Sequence, residues 1–312
     1  MPVPLARALL HQAGGVRLAR WLHRKSVRIL MYHRFSNREG LERQCRHIRE
    51  HYGPVSMAQL GEAWETGRPL PPNSMAVTVD DGYRDFFRIA YPIFSAARIP
   101  VTVFLVSDFM DGKEWLWLDR VKFLFANTAL PRHESFSLDS TGHRLDAARA
   151  VCEQLKRLPN EERVSTISRL QQALGVEFPA DIPPEYEPLR WEEARRMADD
   201  NVTFGAHTVT HPILSRLPSS REMEQEIAGS KRRIEEALRR PCLHFCYPNG
   251  SAADFDTDCI EIVRRAGFQT AVTAIPGLSL PSTDRFMLRR IGVDPTYDQS
   301  YFERCLAGIR AN

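Results

Sequence analysis

Seven short apolar runs recur along the chain, at 27–33, 75–80, 101–106, 202–206, 243–247, 270–274 and 286–293, most of them separated by helical patterns. Each is rich in Val, Ile, Leu and Phe and bounded within a few residues, which reads as a strand. Helical periodicity covers 41–51, 83–97, 191–199, 219–239, 256–266 and 297–309. The 219–239 segment opens on Ser-Ser-Arg-Glu and closes on Arg239-Arg240-Pro241. That places an acid near the positive end of the helix, bases near the negative end, and a proline to stop it. Strand and helix in alternation imply parallel pairing, because a parallel partner is reached only through a crossover. The chain should fold as an α/β sheet or barrel.

One stretch breaks the rhythm. Residues 111–190 are polar and helical, offer no convincing strand, and end among Pro179, Pro183, Pro184 and Pro188. They read as a helical insertion capping the barrel mouth, inside a barrel domain of 26–312. Residues 1–25 read as a basic, partly amphipathic helix broken at Gly14-Gly15. It suits peripheral contact with an anionic membrane surface, or closure of one end of the fold. Arg7, Arg17, Arg20, Arg24, Lys25 and Arg28 all precede the first acid, Glu39. Over the whole chain, 42 Lys+Arg face 39 Asp+Glu, a balance of +3 that excludes a protein built to coat nucleic acid. No run approaches the roughly 20 apolar residues of a membrane-spanning helix. Arg17, Arg20 and the glycine pair interrupt any secretory signal. Six scattered cysteines read as reduced, mostly buried thiols. The expected location is the cytoplasm, extending to the inner face of the membrane.

Three segments carry chemistry, and each falls at the end of an expected strand. Thr78-Val79-Asp80-Asp81-Gly82 sets two carboxylates side by side, which repel unless a cation or solvent compensates them. His207-Thr208-Val209-Thr210-His211 spaces two imidazoles four apart, within reach of one ion if the chain turns helically. Phe245-Cys246-Tyr247-Pro248-Asn249-Gly250 ends a strand in a turn whose N–H groups can meet an oxyanion. Asp81, His207 and His211 together would form a three-ligand metal site with an open position. Asp80 would then be free to take a proton from water. In parallel barrels, reacting groups gather at the carboxyl ends of strands, where all three segments lie.

These segments resemble the motifs of the polysaccharide deacetylase family (NodB-homology domain, carbohydrate esterase family four). Thr78–Gly82 is similar to its Thr-Phe-Asp-Asp-Gly motif, with Val79 for Phe, and His207–His211 matches its His-[Ser/Thr]-x-x-His motif at both histidines and Thr208. Its Arg-x-Pro-Tyr-Gly motif is matched only at Pro248 and Gly250; Cys246 stands at the Arg position and Asn249 at the Tyr position. The resemblance spans about 27–110 and 190–295 and implies a distorted (β/α)7 barrel interrupted by the insertion. It further implies that Asp80 is the general base, that Asp81, His207 and His211 hold a divalent metal, most commonly zinc, and that the Asn249 N–H supports the oxyanion. The reaction implied is hydrolytic removal of an acetyl group from an N-acetylated sugar.

Two departures redirect assignments. The family's late Leu-x-His is absent, since no histidine follows His244. A branch similar to the poly-N-acetylglucosamine deacetylases carries this histidine on the first strand, which assigns His33 as general acid. Arg290, on the seventh strand, is assigned to the cation missing from position 246. Tyr83, Pro248, Trp115 and Trp117 are assigned to substrate binding, the tryptophans as sugar-stacking rings or as packing for the cap. The expected substrate is a glycan or a lipid- or nucleotide-linked saccharide intermediate. The alternatives are deformylation of a lipid-linked amino sugar, a non-haem iron oxygenase, and a catalytically degenerate carbohydrate-binding barrel.

Overall fold

A computed structural model describes residues 14–309. Seven parallel strands form the barrel: β1 (Arg28–Tyr32), β2 (Ser74–Val79), β3 (Val101–Leu105), β4 (Val202–Ala206), β5 (His244–Cys246), β6 (Thr270–Pro276) and β7 (Leu288–Gly292). Each pairs with the next, and β1 closes the ring by pairing with both β7 and β2. The β1–β2 register runs from Arg28↔Met75 to Tyr32↔Val79, and β3–β4 from Val101↔Val202 to Leu105↔Ala206. A two-residue strand, Gly53–Pro54, adds to the start of β2 from outside.

The strands carry apolar residues on both faces because both are covered. Ile29, Ala76, Phe104, Val272 and Leu288 fill the barrel interior, while Leu30, Val77 and Val103 point outward into the layer beneath the helices. That is the period of two expected of a pleated strand. The helices include α1 (Gly15–Leu22), α2 (Arg38–His51), α3 (Met57–Thr66) and α4 (Tyr91–Ala96). In the insertion come α5 (Trp117–Asn127), α6 (Thr141–Leu155) and α7 (Asn160–Leu174), followed by α8 (Trp191–Ala198), α9 (Ser220–Leu238), α10 (Thr257–Arg265) and α11 (Gln299–Ala307).

Several details depart from the sequence reading. The helix α3 has no counterpart there; its Met57 and Leu60 join the barrel-interior cluster, so α3 closes that end. The helix α1 instead lies against α11, burying Val16 and leaving Leu18, Trp21 and Leu22 exposed. Residues 1–13 of the expected N-terminal helix lie outside the described residues. The segment 83–97 is not one regular helix: Phe86–Ala90 winds as a π-helical turn before α4. Pro92 supplies the cause, since its ring would clash with the carbonyl four residues back and it has no N–H to donate.

Within 111–190, α5, α6 and α7 share a core of their own, including Val121, Leu124, Phe125, Ala148, Leu155, Ile167 and Leu174. The Ser140 hydroxyl caps α6 by accepting from the His143 N–H at 3.1 Å. A small antiparallel hairpin, Arg132–His133 with Phe136–Ser137, is present where no strand was expected.

Candidate active site

The site lies where β2, β4 and β5 end, with side chains from β1 and β7 converging on it. After β2, the Asp80 N–H still donates to the Tyr32 carbonyl at 2.9 Å, continuing the ladder. The chain then turns through two left-handed residues, Asp81 at φ 75° and Gly82 at φ 87°. A side chain at Gly82 would meet Leu105 at 2.8 Å, so the turn needs glycine there. Asp81 has no such licence, and a non-glycine residue held at that angle is strain of the kind stored at functional sites.

Asp80 is 2% exposed and gripped by Arg290, which is 1% exposed. Nη1 donates to Oδ1 and Nη2 to Oδ2, both at 2.7 Å. Arg290 is held in turn by the Thr273 carbonyl at 2.7 Å and the Thr78 hydroxyl at 3.0 Å. Burial alone would raise the Asp80 pKa, but the guanidinium outweighs it and holds the carboxyl below its ordinary value. The Cys246 thiol occupies the remaining space, 3.1 Å from Arg290 Nη2 and 3.5 Å from Asp80 Oδ2. A small side chain at 246 leaves room for a cation arriving from β7.

Asp81, His207 and His211 converge beside this pair. Asp81 Oδ1 lies 3.5 Å from Nε2 of each histidine, and all three residues are buried. Nδ1 of His207 donates to the Cys246 carbonyl at 2.7 Å, which turns Nε2 toward Asp81. The His207–His211 loop is not the helical turn the spacing suggested. Thr208 and His211 take left-handed angles, φ 68° and 60°. Glu226 of α9 straps the loop, accepting from the N–H groups of Val209 and Thr210 at 2.8 and 2.9 Å and from the Thr210 hydroxyl at 2.7 Å. Nothing in the sequence marks Glu226, because two of its three partners are backbone N–H groups.

The two imidazoles of the cluster shift in opposite directions. Burial pushes His211 down to about 3, with the His207 charge adding to the effect. His207 moves the other way: burial lowers it, but Cys246 and Asp81 raise it further. Once His207 gives up its proton, two Nε2 lone pairs beside a carboxylate oxygen make a donor set that a tetrahedral divalent ion accepts. One ligand atom from each of the three lies within 4.8 Å of the others. The residues therefore fit a divalent metal. Asp80, His207 and Cys246 cluster as tightly, but Arg290 already engages both Asp80 oxygens and would repel a second cation there.

The remaining expected residues separate into two groups. His33, at the end of β1, sets Nε2 3.7 Å from Asp80 Oδ2 and keeps 48% of its side chain exposed, so it reaches both the site and solvent. Asn249 and Gly250 turn through φ 57° and 65°, and no protein acceptor among the described residues faces the Asn249 N–H. Pro248 is buried beneath this turn. The structure corrects two substrate-binding assignments. Tyr83 is 4% exposed, its hydroxyl donates to Asp119 of the insertion, and Arg34 lies 4.0 Å over its ring. It docks the cap. Trp117 is 7% exposed inside the core of the insertion. Trp115 packs with Phe123, Phe178 and Tyr186, retaining partial exposure.

The closed seven-stranded parallel barrel gathers a carboxylate–imidazole cluster at its carboxyl end, where the reacting groups of such barrels lie. The chain matches the polysaccharide deacetylase family over residues 67–271. It belongs to that family, whose members hydrolyse carbon–nitrogen amide bonds. The poly-beta-1,6-N-acetyl-D-glucosamine N-deacetylase of Escherichia coli K12 is 39% identical over 73 residues, 23% of this chain and 11% of that relative. The match thus spans about a tenth of that relative's length. Among solved structures, the Streptococcus pyogenes deacetylase PplD in complex with acetate superposes with a TM-score of 0.61 at 17% identity, covering 92% of this chain and 99% of that one. IcaB from Ammonifex degensii gives 0.61 at 17%, over 92% and 98%. The barrel and the family membership set the iron-oxygenase alternative aside.

Proposed function

We propose that this chain is a divalent-metal-dependent N-deacetylase acting on an N-acetylated sugar within a glycan or a carrier-linked saccharide. The observation that carries the reading is Asp80, held ionised by Arg290 beside the Asp81–His207–His211 cluster. A degenerate binding barrel has no use for a buried, ion-paired carboxylate next to an assembled ligand set. Zinc suits the two nitrogens and one oxygen.

Asp81, His207 and His211 would hold a divalent cation, which would supply Lewis-acid polarisation and acidify water. The chain's own groups do the rest. Asp80 accepts the proton as water oxygen bonds to the carbonyl carbon. The Asn249 N–H receives the negative charge that develops on the carbonyl oxygen. His33 delivers a proton to the nitrogen as the carbon–nitrogen bond breaks, releasing a free amine and acetate. The exposed Leu18, Trp21 and Leu22 of α1, flanked by Arg17 and Lys25, support contact with an anionic membrane surface.

The test is acetate release from a panel of N-acetylated mono- and oligosaccharides by chelator-treated protein, before and after adding Zn²⁺ or Co²⁺. Metal-restored acetate release is expected. Release of formate from the N-formylated counterparts, with no acetate from the panel, would make the enzyme a deformylase, and no release from any substrate with either metal would sink the reading.

A further inference from the structure

The chain between the two cluster imidazoles is held from both sides. Its carbonyls face the turn that follows β3: Thr208 O accepts from the Ser107 N–H at 3.2 Å, and Val209 O from the Asp108 N–H at 3.0 Å. Its N–H groups at 209 and 210 meet Glu226, whose Oε2 accepts from both while Oε1 accepts from the Thr210 hydroxyl. One carboxylate thus satisfies three donors of a loop that has neither strand nor helix to receive them.

The conformation held this way is an unfavourable one. Thr208 at φ 68° and His211 at φ 60° lie in the left-handed region, which is costly above all for a β-branched residue such as threonine. Angles of this kind persist only where the surroundings over-determine them. The support is a rigid one. The helix α9 buries Met223, Ile227 and Ile234, and its Arg233 pairs with Asp111 at 2.6 Å. One turn after Glu226 the helix carries Gly229, although glycine in a helix interior costs stability. Its reason is the same loop: a Cβ at 229 would lie 3.1 Å from Val209 Cγ2. Residues three apart share a helix face, so one surface of α9 both bonds to the loop and packs closely against it.

We propose that Glu226 is a positioning residue for the metal ligands, setting the affinity of the site by fixing the loop that joins His207 to His211. The inference rests on the proposed divalent site of Asp81, His207 and His211. Held by Glu226, the loop brings Nε2 of each histidine to 3.5 Å from Asp81 Oδ1. Glu226 acts by accepting hydrogen bonds from the backbone and a hydroxyl, not from either imidazole.

The test measures zinc affinity of the whole folded chain, by competition with a chromogenic chelator, together with the visible absorption of the Co²⁺ form. Glu226→Met removes every acceptor. It should weaken zinc binding by about 10–100-fold, the loss typical of groups that orient a metal ligand, and should alter the Co²⁺ bands. Glu226→Gln should recover most of that affinity, since its amide oxygen still accepts both N–H groups and its NH₂ can donate to the Thr210 hydroxyl. Thr210→Val deletes one of the three bonds from the loop's side and should weaken zinc less; it carries the comparison if Glu226→Met does not fold. Wild-type zinc affinity in Glu226→Met, or in Thr210→Val where that variant stands in, would reduce Glu226 to a structural contact and overturn the proposal, even with a lowered unfolding temperature. Glu226→Gln as weak as Glu226→Met would assign the effect to charge and overturn it too. A wild type that binds neither metal would sink the metal reading itself, an outcome distinct from equal binding by wild type and variant.

Discussion

Arg290 of β7 reaches across the end of β1 to pair with Asp80 beyond β2, through two hydrogen bonds of 2.7 Å. The pair ties together three strands at the closure of the barrel, in a position water scarcely reaches. Removing one member strands the other as an unpaired buried charge, at about 3–5 kcal/mol. Arg290→Met should therefore lose stability on that scale in denaturant unfolding. Adding Asp80→Asn should recover a large part of it, because the orphaned charge goes too. Strict additivity of the two single changes would show that the pair is not coupled.

The proposed metal ligands and the proposed base make separable predictions. Asp80 is spent on Arg290, not on the cluster, so Asp80→Asn should keep stoichiometric zinc while turnover falls at least about 100-fold. His207→Ala removes the imidazole whose Nε2 faces Asp81 and should lose the metal after dialysis. Metal analysis beside the acetate assay reads both. An active Asp80→Asn enzyme would remove Asp80 as base, and full zinc retention in His207→Ala would remove that residue as ligand.

The barrel was legible because its strands are short apolar runs covered on both faces, and the residues at their ends were legible as a consequence. Asp80, Asp81, His207, His211 and Arg290 do come together. What could not be read was anything set by register between distant strands or by bonds to backbone groups. Spacing suggested a helical turn at 207–211, whereas Glu226, on a helix that shows only an amphipathic face to pattern reading, straps an irregular loop. Tyr83, assigned to substrate binding, is buried by how the insertion docks, whereas Trp117 takes the packing alternative inside the insertion's own core. The helix α3 escaped notice because its apolar face is narrow, with Met57, Leu60 and Gly61 as its buried positions.

His33 is the half-exposed member of the constellation, 3.7 Å from Asp80. A group that protonates the leaving nitrogen matters in proportion to how badly that atom leaves. His33→Ala should lower kcat on an N-acetyl sugar by about 10²–10⁴-fold. It should scarcely affect an activated aryl acetate, whose phenolate departs without a proton. The contrast separates protonation of the leaving group from a structural role. Equal losses on both substrates would place His33 outside that step.

His244, the first residue of β5, is 3% exposed and bonded through Nδ1 to the Thr270 hydroxyl at 2.9 Å. Burial first, and the charge of Lys231 second, push it down to about 4. In the unfolded chain it titrates near ~6.5. Between these values the unfolded state binds the proton and the folded state does not, so stability falls as pH drops through that window and is fully present above it. At about 1.4 kcal/mol per pH unit, the loss is roughly 3 kcal/mol by pH 4. His47, pushed down to about 4 chiefly by burial, acts in the same direction. His244→Asn can place an amide N–H where Nδ1 stood and does not titrate. Its unfolding free energy should therefore be flatter than wild type between pH 7 and 4, by about the His244 share. Identical pH slopes for the two proteins would show that this imidazole is not held neutral in the fold.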